Sequence, residues 1–252
     1  MRAMLDEIIK TTRSRLETHG VAVGGPKPVL RDFEAALAQP GLQIIAEIKR
    51  RSPSRGDLNR DLDPVDQALA YQRGGAAAIS VLTEPDYFSG SLHDLTEVRL
   101  AVDIPVLRKD FIIDPRQVEE SRVAGADALL LIVAGLEEGR LAQLLKECAT
   151  VGIQALVEAH TQAEAAVAEE AGARIIGVNN RDLTTFLTDL AVAERIAPQL
   201  DRDRTLVAES GVSSRQGATR MADAGYDAIL VGEALVTTDD PAALIGELTA
   251  EL

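Results

Sequence analysis

Residues 44–54 read Ile44-Ile45-Ala46-Glu47-Ile48-Lys49-Arg50-Arg51-Ser52-Pro53-Ser54. The run opens like a buried strand, short, apolar and rich in isoleucine. Glu47 and Lys49 then break the pattern. Side chains alternate along a strand, so Ile45, Glu47 and Lys49 share one face, and Ile44, Ala46 and Ile48 the other. A carboxylate and an ammonium on one face of a buried strand are costly unless they pair or are put to use. A structural ion pair is one account of them. The polar, basic loop Arg50–Ser54 favours the other, because it follows the carboxyl end of the strand, where parallel α/β folds bind ligands.

Outward from this stretch a unit recurs. A helix ends in Gly, a small residue follows, and a buried strand begins: GGAAAIS (74–80), GADALLLIV (125–133), GARIIGVNN (172–180) and GYDAILVG (225–232). Glycine suits the left-handed position that ends a helix. Further strands are expected at 42–49, 105–109, 153–158 and 205–209. Helices are expected at 64–73, 91–101, 115–124, 137–149, 161–171, 189–198, 213–224 and 240–251. Asp63-Pro64, Asp114-Pro115 and Asp240-Pro241 each place an N-cap acid before a proline at the first helical position. Thr161 with Glu164, and Ser213 with Gln216, read as capping boxes. Eight strands alternating with eight helices predict a closed (β/α)8 TIM barrel, in one domain spanning 1–252. No G-x-G-x-x-G follows the first strand, which weighs against a dinucleotide fold. Residues 1–40, with a helix at 4–18, a loop at 20–28 and a short helix at 32–38, read as an N-terminal helical extension too short for its own core.

Composition narrows the function. Apolar residues make up 46% of the 252, yet aromatics only 3%, so the core must be Ala, Leu, Ile and Val. The formal net charge of −14 argues against nucleic acid and anionic membranes as partners. Cys148 is the single cysteine, which excludes an intramolecular disulfide and fits a reducing, cytoplasmic setting. It reads as a small buried hydrophobe. His19, His93 and His160 are widely spaced and form no metal-ligand pattern with it. No apolar run is long enough to span a membrane, and MRAMLDEIIK carries acids where a signal would be apolar.

In such a barrel the informative positions are strand exits. Alternation allows Glu47, Lys49, Lys109, Glu158, Asn179 and Glu209 all to face the mouth. Structural pairing competes with catalysis for Lys109 and Glu158. Arg50 and Arg51 read as solvated loop charges, Arg108 as pointing away from the mouth, and Asp110 and Asp182 as loop ties. His160 lines the mouth or serves as a cap. Phe88 and Phe111, just past strand ends in an aromatic-poor chain, suit a flat apolar pocket. Ser210-Gly211-Val212 and Gly232-Glu233 suit a backbone cradle for a phosphate.

IAEIKRRSPS, VLTEPDYFSGS, PVLRKDFIID, GADALLLIV, LVEAHT, GVNNRDL, AESGV and LVGEAL, in this order and spacing, resemble indole-3-glycerol-phosphate synthase. The resemblance runs from about residue 40 to the end. It implies a carbon–carbon lyase of tryptophan biosynthesis. Its substrate would be 1-(2-carboxyphenylamino)-1-deoxyribulose 5-phosphate, converted to indole-3-glycerol phosphate with loss of carbon dioxide and water. It implies no cofactor, no metal, and a monomer whose partner is the phosphorylated small molecule. The catalytic set would be Glu47, Lys49, Lys109, Glu158, Asn179, Glu209 and Ser210. Substrate would be held by Ser52, Leu82, Phe88, Phe111, Leu130, Arg181, Gly211, Leu230, Gly232 and Glu233. Lys109 is the candidate acid at the sugar ketone and Glu158 the candidate base; which lysine serves which step stays open. Other phosphate-binding barrels are the nearest competitors. Phosphoribosylanthranilate isomerase has a Cys near its first strand, and here the single Cys is Cys148. A non-catalytic ligand-binding barrel is the other competitor.

Overall fold

Eight short apolar segments pair side by side, in parallel, until the last meets the first. They are β1 (Gln43–Ile48), β2 (Ala78–Leu82), β3 (Val106–Lys109), β4 (Ala128–Ile132), β5 (Gln154–Ala159), β6 (Ile175–Asn179), β7 (Thr205–Glu209) and β8 (Ala228–Val231). The closed order is β1-β8-β7-β6-β5-β4-β3-β2, the (β/α)8 barrel expected. This computed structural model describes residues 3–21, 24–182 and 185–250.

Local signals set the connections. Asp63, Asp114 and Asp240 cap helices Pro64–Arg73, Pro115–Ala124 and Pro241–Thr249 through their side chains. The last of these was expected to reach residue 251, which lies outside the described residues. Asp114 also forms a full capping box with Gln117, which the sequence reading did not single out. Two expected boxes differ. Ser214, not Ser213, caps helix Arg215–Ala224. Thr161 caps Gln162–Glu170, but the Glu164 carboxylate accepts from the backbone N–H of His160 rather than of Thr161. The helix expected at 189–198 ends at Ile196 and continues as a 3-10 turn over Ala197–Gln199. Pro198 explains the change, since it has no N–H to donate back.

Alternation sorts the core into two layers. Inside the barrel stand Ile45, Ala78, Leu107, Ala128, Leu130, Leu156, Ile175, Val207, Ala228 and Leu230. Outside, Ile44, Ala46, Ile79, Leu129, Leu131, Ile176 and Ile229 pack against the ring of helices. Cys148 belongs to this outer layer, where burial pushes its thiol up to about 12, so it acts as a small hydrophobe.

The N-terminal extension works at both ends of the barrel. Helix α1 (Ala3–His19) contributes Met4, Leu5 and Ile8 to the cavity at the strands' carboxyl ends. Arg15 on α1 pairs with Glu84 and Asp86 just past β2, at 3.2 and 2.8 Å. The chain then runs to the opposite end, where Arg31 donates to the carbonyls of Val102 and Ile104. Helix α2 (Phe33–Leu37) closes the floor: Phe33 and Leu37 are fully buried within the inner layer. Gln154, the first residue of β5, accepts from the Phe33 N–H at 2.7 Å. Phe33→Ala should therefore cost about 3–5 kcal/mol, the usual range for a buried Phe, without touching the mouth. Urea unfolding of the variant measures it, and a midpoint near wild type would show that the floor is not sealed by this ring.

Candidate active site

The last inward position of every strand except β7 lines a cavity of about 630 Å³ at the carboxyl ends. On β1, Glu47 is buried and accepts from the Lys49 ammonium at 2.6 Å, two residues on along the same face. The Tyr71 hydroxyl donates to the Glu47 carbonyl from outside and steadies the strand. On β3, Lys109 donates to Glu158 of β5 at 3.2 Å and to Glu209 of β7 at 2.6 Å. One ammonium is thus shared by carboxylates from two other strands. Strand register brings the set together: Lys109 stands beside Leu82, Glu158 beside Gly177, and Glu209 beside both Asn179 and Leu230.

These groups set one another's charge. Burial disfavours the Lys109 ammonium, but Glu209, Glu158 and Glu47 outweigh it and hold its pKa above the ordinary lysine value. Burial also works against Glu158, yet Lys109 and His160 outweigh it and keep this carboxylate ionised, well below the usual range. Glu209 goes the other way. Complete burial, with the Glu158 charge adding to it, overcomes Lys109 and pushes Glu209 up to about 8. One carboxylate is therefore a base and its neighbour a neutral acid near pH 7.

Two close approaches leave no room for a side chain. A Cβ on Gly177 would stand 2.1 Å from Glu209 Oε1. A Cβ on Gly232 would stand 2.5 Å from Glu47 Oε1 and 3.2 Å from Lys49 Nζ. Gly232 begins the short helix Glu233–Thr237. The Glu233 carboxylate turns to Arg55, at 3.2 Å. Ser210 and Gly211 both take positive φ at the exit of β7. At the other side of the mouth, Phe88 and Phe111 lie with ring centroids 6.1 Å apart.

Of the residues singled out from the sequence, Glu47, Lys49, Ser52, Leu82, Phe88, Lys109, Phe111, Leu130, Glu158, Asn179, Arg181, Ser210, Gly211, Leu230, Gly232 and Glu233 all line this cavity. Glu209 stands behind them, fully buried, against Lys109 and Glu158. The reading of Arg50 as a solvated charge is corrected: its guanidinium grips Asp94 through both nitrogens, at 2.6 and 3.2 Å, and donates to the Leu62 and Ser89 carbonyls. Arg51 is exposed, as expected. Arg108 does point away from the mouth, but into a buried network with Asp110, Glu120, Thr83 and Ser121.

The model of the family described as Indole-3-glycerol phosphate synthase matches residues 5–248. The chain belongs to this family. A relative of that name from Mycobacterium sp. (strain KMS) is 50% identical over 254 residues, 97% of this chain and 93% of the relative. Another, from Mycobacteroides abscessus, is 52% identical over 227 residues, 90% of this chain and 83% of the relative. Among solved structures, 3-hexulose-6-phosphate synthase superposes with a TM-score of 0.65 at 18% identity, covering 82% of this chain and 98% of the other. Thiamine phosphate pyrophosphorylase from Pyrococcus furiosus gives 0.62 at 18% identity, covering 82% and 93%. These two share the fold alone.

Sequence reasoning missed several residues of the site. Met4, Leu5 and Ile8 lie in the helix expected at 4–18, but nothing in their i, i+1, i+4 spacing tells what that helix covers. Phe186 and Thr188 line the cavity from the loop after β6. Asn180, beside Asn179, is wholly structural: it donates to the Glu209 and Ser210 carbonyls and accepts from Ala193 N–H.

The raised Glu209 pKa has a stability consequence. Between the ordinary 4.5 and about 8 the folded state holds a proton that the unfolded state has released. Stability from this group is complete below that window and is lost as pH rises through it. Glu209→Gln should remove that decline. Denaturation of both proteins across pH 4.5 to 8 tests it; parallel profiles would show that Glu209 is ionised in the fold.

Proposed function

We propose that the barrel mouth is the active site of an indole-3-glycerol-phosphate synthase acting in tryptophan biosynthesis. The substrate in this reading is 1-(2-carboxyphenylamino)-1-deoxyribulose 5-phosphate. Family membership over nearly the whole chain supports a decarboxylating lyase. The single observation that carries the residue roles is Lys109, held as a cation between an ionised and a neutral carboxylate.

The apolar side of the mouth, with Phe88, Phe111 and Leu130, takes the aromatic ring. The glycine side takes the phosphate on backbone N–H groups at Gly211, Gly232 and Glu233. Arg55 draws the Glu233 carboxylate aside, so it need not face the dianion. Lys49 and Arg181 balance the benzoate charge; the Arg181 guanidinium donates to neutral oxygens of Phe186 and Ser54.

Ring closure comes first. The ring carbon bearing the carboxylate attacks the sugar ketone, and Lys109 gives a proton to the oxygen that gathers charge. Carbon dioxide leaves, and its bonding pair restores the aromatic ring. Lys49 protonates the departing hydroxyl, and Glu158 takes a proton from the carbon next to nitrogen. Water leaves and the indole is complete. Glu47 orients Lys49, Asn179 orients the sugar hydroxyls, and Glu209 holds Lys109. In this reading the protein acts as a monomer. Among the described residues no helix is long and apolar enough to cross a membrane, which is compatible with the proposed cytoplasmic location.

Purified protein given this substrate should develop indole fluorescence with no metal added, and a flat trace from folded protein would sink the reading. Lys109→Ala should keep its fold and lose ~10²–10⁴-fold in turnover, the range for a positioned acid. A variant that melts far below wild type yet turns over normally would make Lys109 structural.

Glu233→Ser should change affinity for a phosphorylated product analogue only modestly in isothermal titration. Gly232→Val should weaken it severely and also slow turnover, since its side chain collides with the Glu47–Lys49 pair. Equal losses in the two variants would give the Glu233 carboxylate a specific role and remove the backbone cradle.

A further inference from the structure

Among the described residues four cations line the mouth: Lys49, Arg55, Lys109 and Arg181. Three are committed. Lys49 is held by Glu47, Lys109 by Glu158 and Glu209, and Arg181 by the Phe186 carbonyl and the Ser54 hydroxyl. In the reading above Lys109 serves the ketone, and Lys49 with Arg181 the benzoate, so the phosphate dianion meets only neutral N–H groups. A carboxylate, Glu233, stands in the same wall of the cavity as Gly232. Arg55 is the remaining cation. It sits at the tip of a hairpin after β1, in which Arg51–Ser52 pairs antiparallel with Gly56–Asp57. Gly56 takes a φ of 71° and the Arg55 N–H donates to Ser52 Oγ at 3.2 Å, so the hairpin shapes its own tip. From there the guanidinium crosses to the exit of β8, where Nε lies 3.2 Å from Glu233 Oε1. Its two terminal nitrogens make no hydrogen bond among the described residues.

We propose that Arg55 is a further substrate-binding residue, whose terminal nitrogens clasp the phosphate while Glu233 holds Nε and aims the fork. The proposal rests on the phosphate lying on the glycine side of the mouth, as in the reading above. A guanidinium carries N–H donors on more than one edge of its plane, so one edge serves a carboxylate while another takes a phosphate. The acid beside the dianion thus acquires a use. Glu233 is a positioning residue that acts only through Arg55, and the cation between them offsets its repulsion of the phosphate. The Arg55 and Glu233 side chains are 64% and 35% exposed, and so wetted a pair adds little stability. Its place is therefore better explained by what it holds than by what it stabilises. It also joins the hairpin after β1 to the short helix after β8, so a bound phosphate ties two sides of the mouth together.

Isothermal titration with indole-3-glycerol phosphate, and with indole-3-glycerol, which lacks the phosphate, tests the clasp. Arg55→Gln should weaken the phosphorylated ligand by about 10–100-fold, the worth of hydrogen bonds to a charged group, and leave the other unchanged. Its melting temperature should match wild type, since the pair is exposed. Glu233 separates a clasp from a mere brace between loops. With Arg55 present, Glu233→Ser should weaken the phosphorylated ligand only modestly, because the fork loses its aim but not its charge. Added to Arg55→Gln, the same change should strengthen binding, because an unscreened carboxylate there repels the dianion. A brace predicts no such reversal of sign. Wild-type protein that does not turn over the substrate would overturn the functional reading and the clasp with it. Active wild type, with both ligands weakened equally or neither weakened by Arg55→Gln, would overturn the clasp alone. So would a Glu233→Ser change that fails to strengthen binding in the Arg55→Gln protein.

Discussion

Lys109 donates to Glu158 and Glu209 from a position inside a closed sheet. Three buried charges cannot be left unbalanced there, since removing one from water costs several kcal/mol unless geometry compensates. The barrel supplies that geometry. Strands β3, β5 and β7 each deliver one member of the trio, and closure fixes their separation. Because two carboxylates share one ammonium, only one of them stays fully charged. Both carboxylates are buried, but His160 adds its pull to that of Lys109 on Glu158 alone, so Glu158 stays ionised while Glu209 is pushed up. A difference in neighbours thus becomes a difference in charge.

The surrounding residues serve this arrangement by leaving room for it or by excluding water. Gly177 vacates the volume that the Glu209 carboxylate fills, and Gly232 vacates the volume beside Glu47. Helix α1 lays Met4, Leu5 and Ile8 along the cavity, and α2 plugs the floor with Phe33 and Leu37. Arg108 and Arg50, next to Lys109 and Lys49, face away from the mouth or into the helical ring. They tie strand exits to the helical ring through Asp110, Glu120 and Asp94, so that Lys109 and Lys49 are held rather than free.

Much of this was legible because β-strand alternation and helix caps are local codes. Glu47 and Lys49 share a face by spacing alone, and Asp63, Asp114 and Asp240 cap the helices their prolines announce. What escaped depends on contacts distant in sequence. Nothing near Gly177 tells that Glu209 will occupy its missing side chain. Arg50 looks like a solvated charge until Asp94 arrives from another helix. The amphipathic stripe of α1 shows that the helix is covered on one face, but not that it covers the mouth. His160 read equally well as a cap; the carboxylates on both sides of its ring settle where it stands.

The division of labour between the two carboxylates is tested most directly by Glu158→Gln in rapid-quench single turnover. An ionised Glu158 that removes the late proton predicts carbon dioxide release near the wild-type rate. Indole formation would lag, and a decarboxylated, still hydroxylated intermediate would accumulate. Carbon dioxide and indole appearing together, equally slowed and with no intermediate, would contradict it.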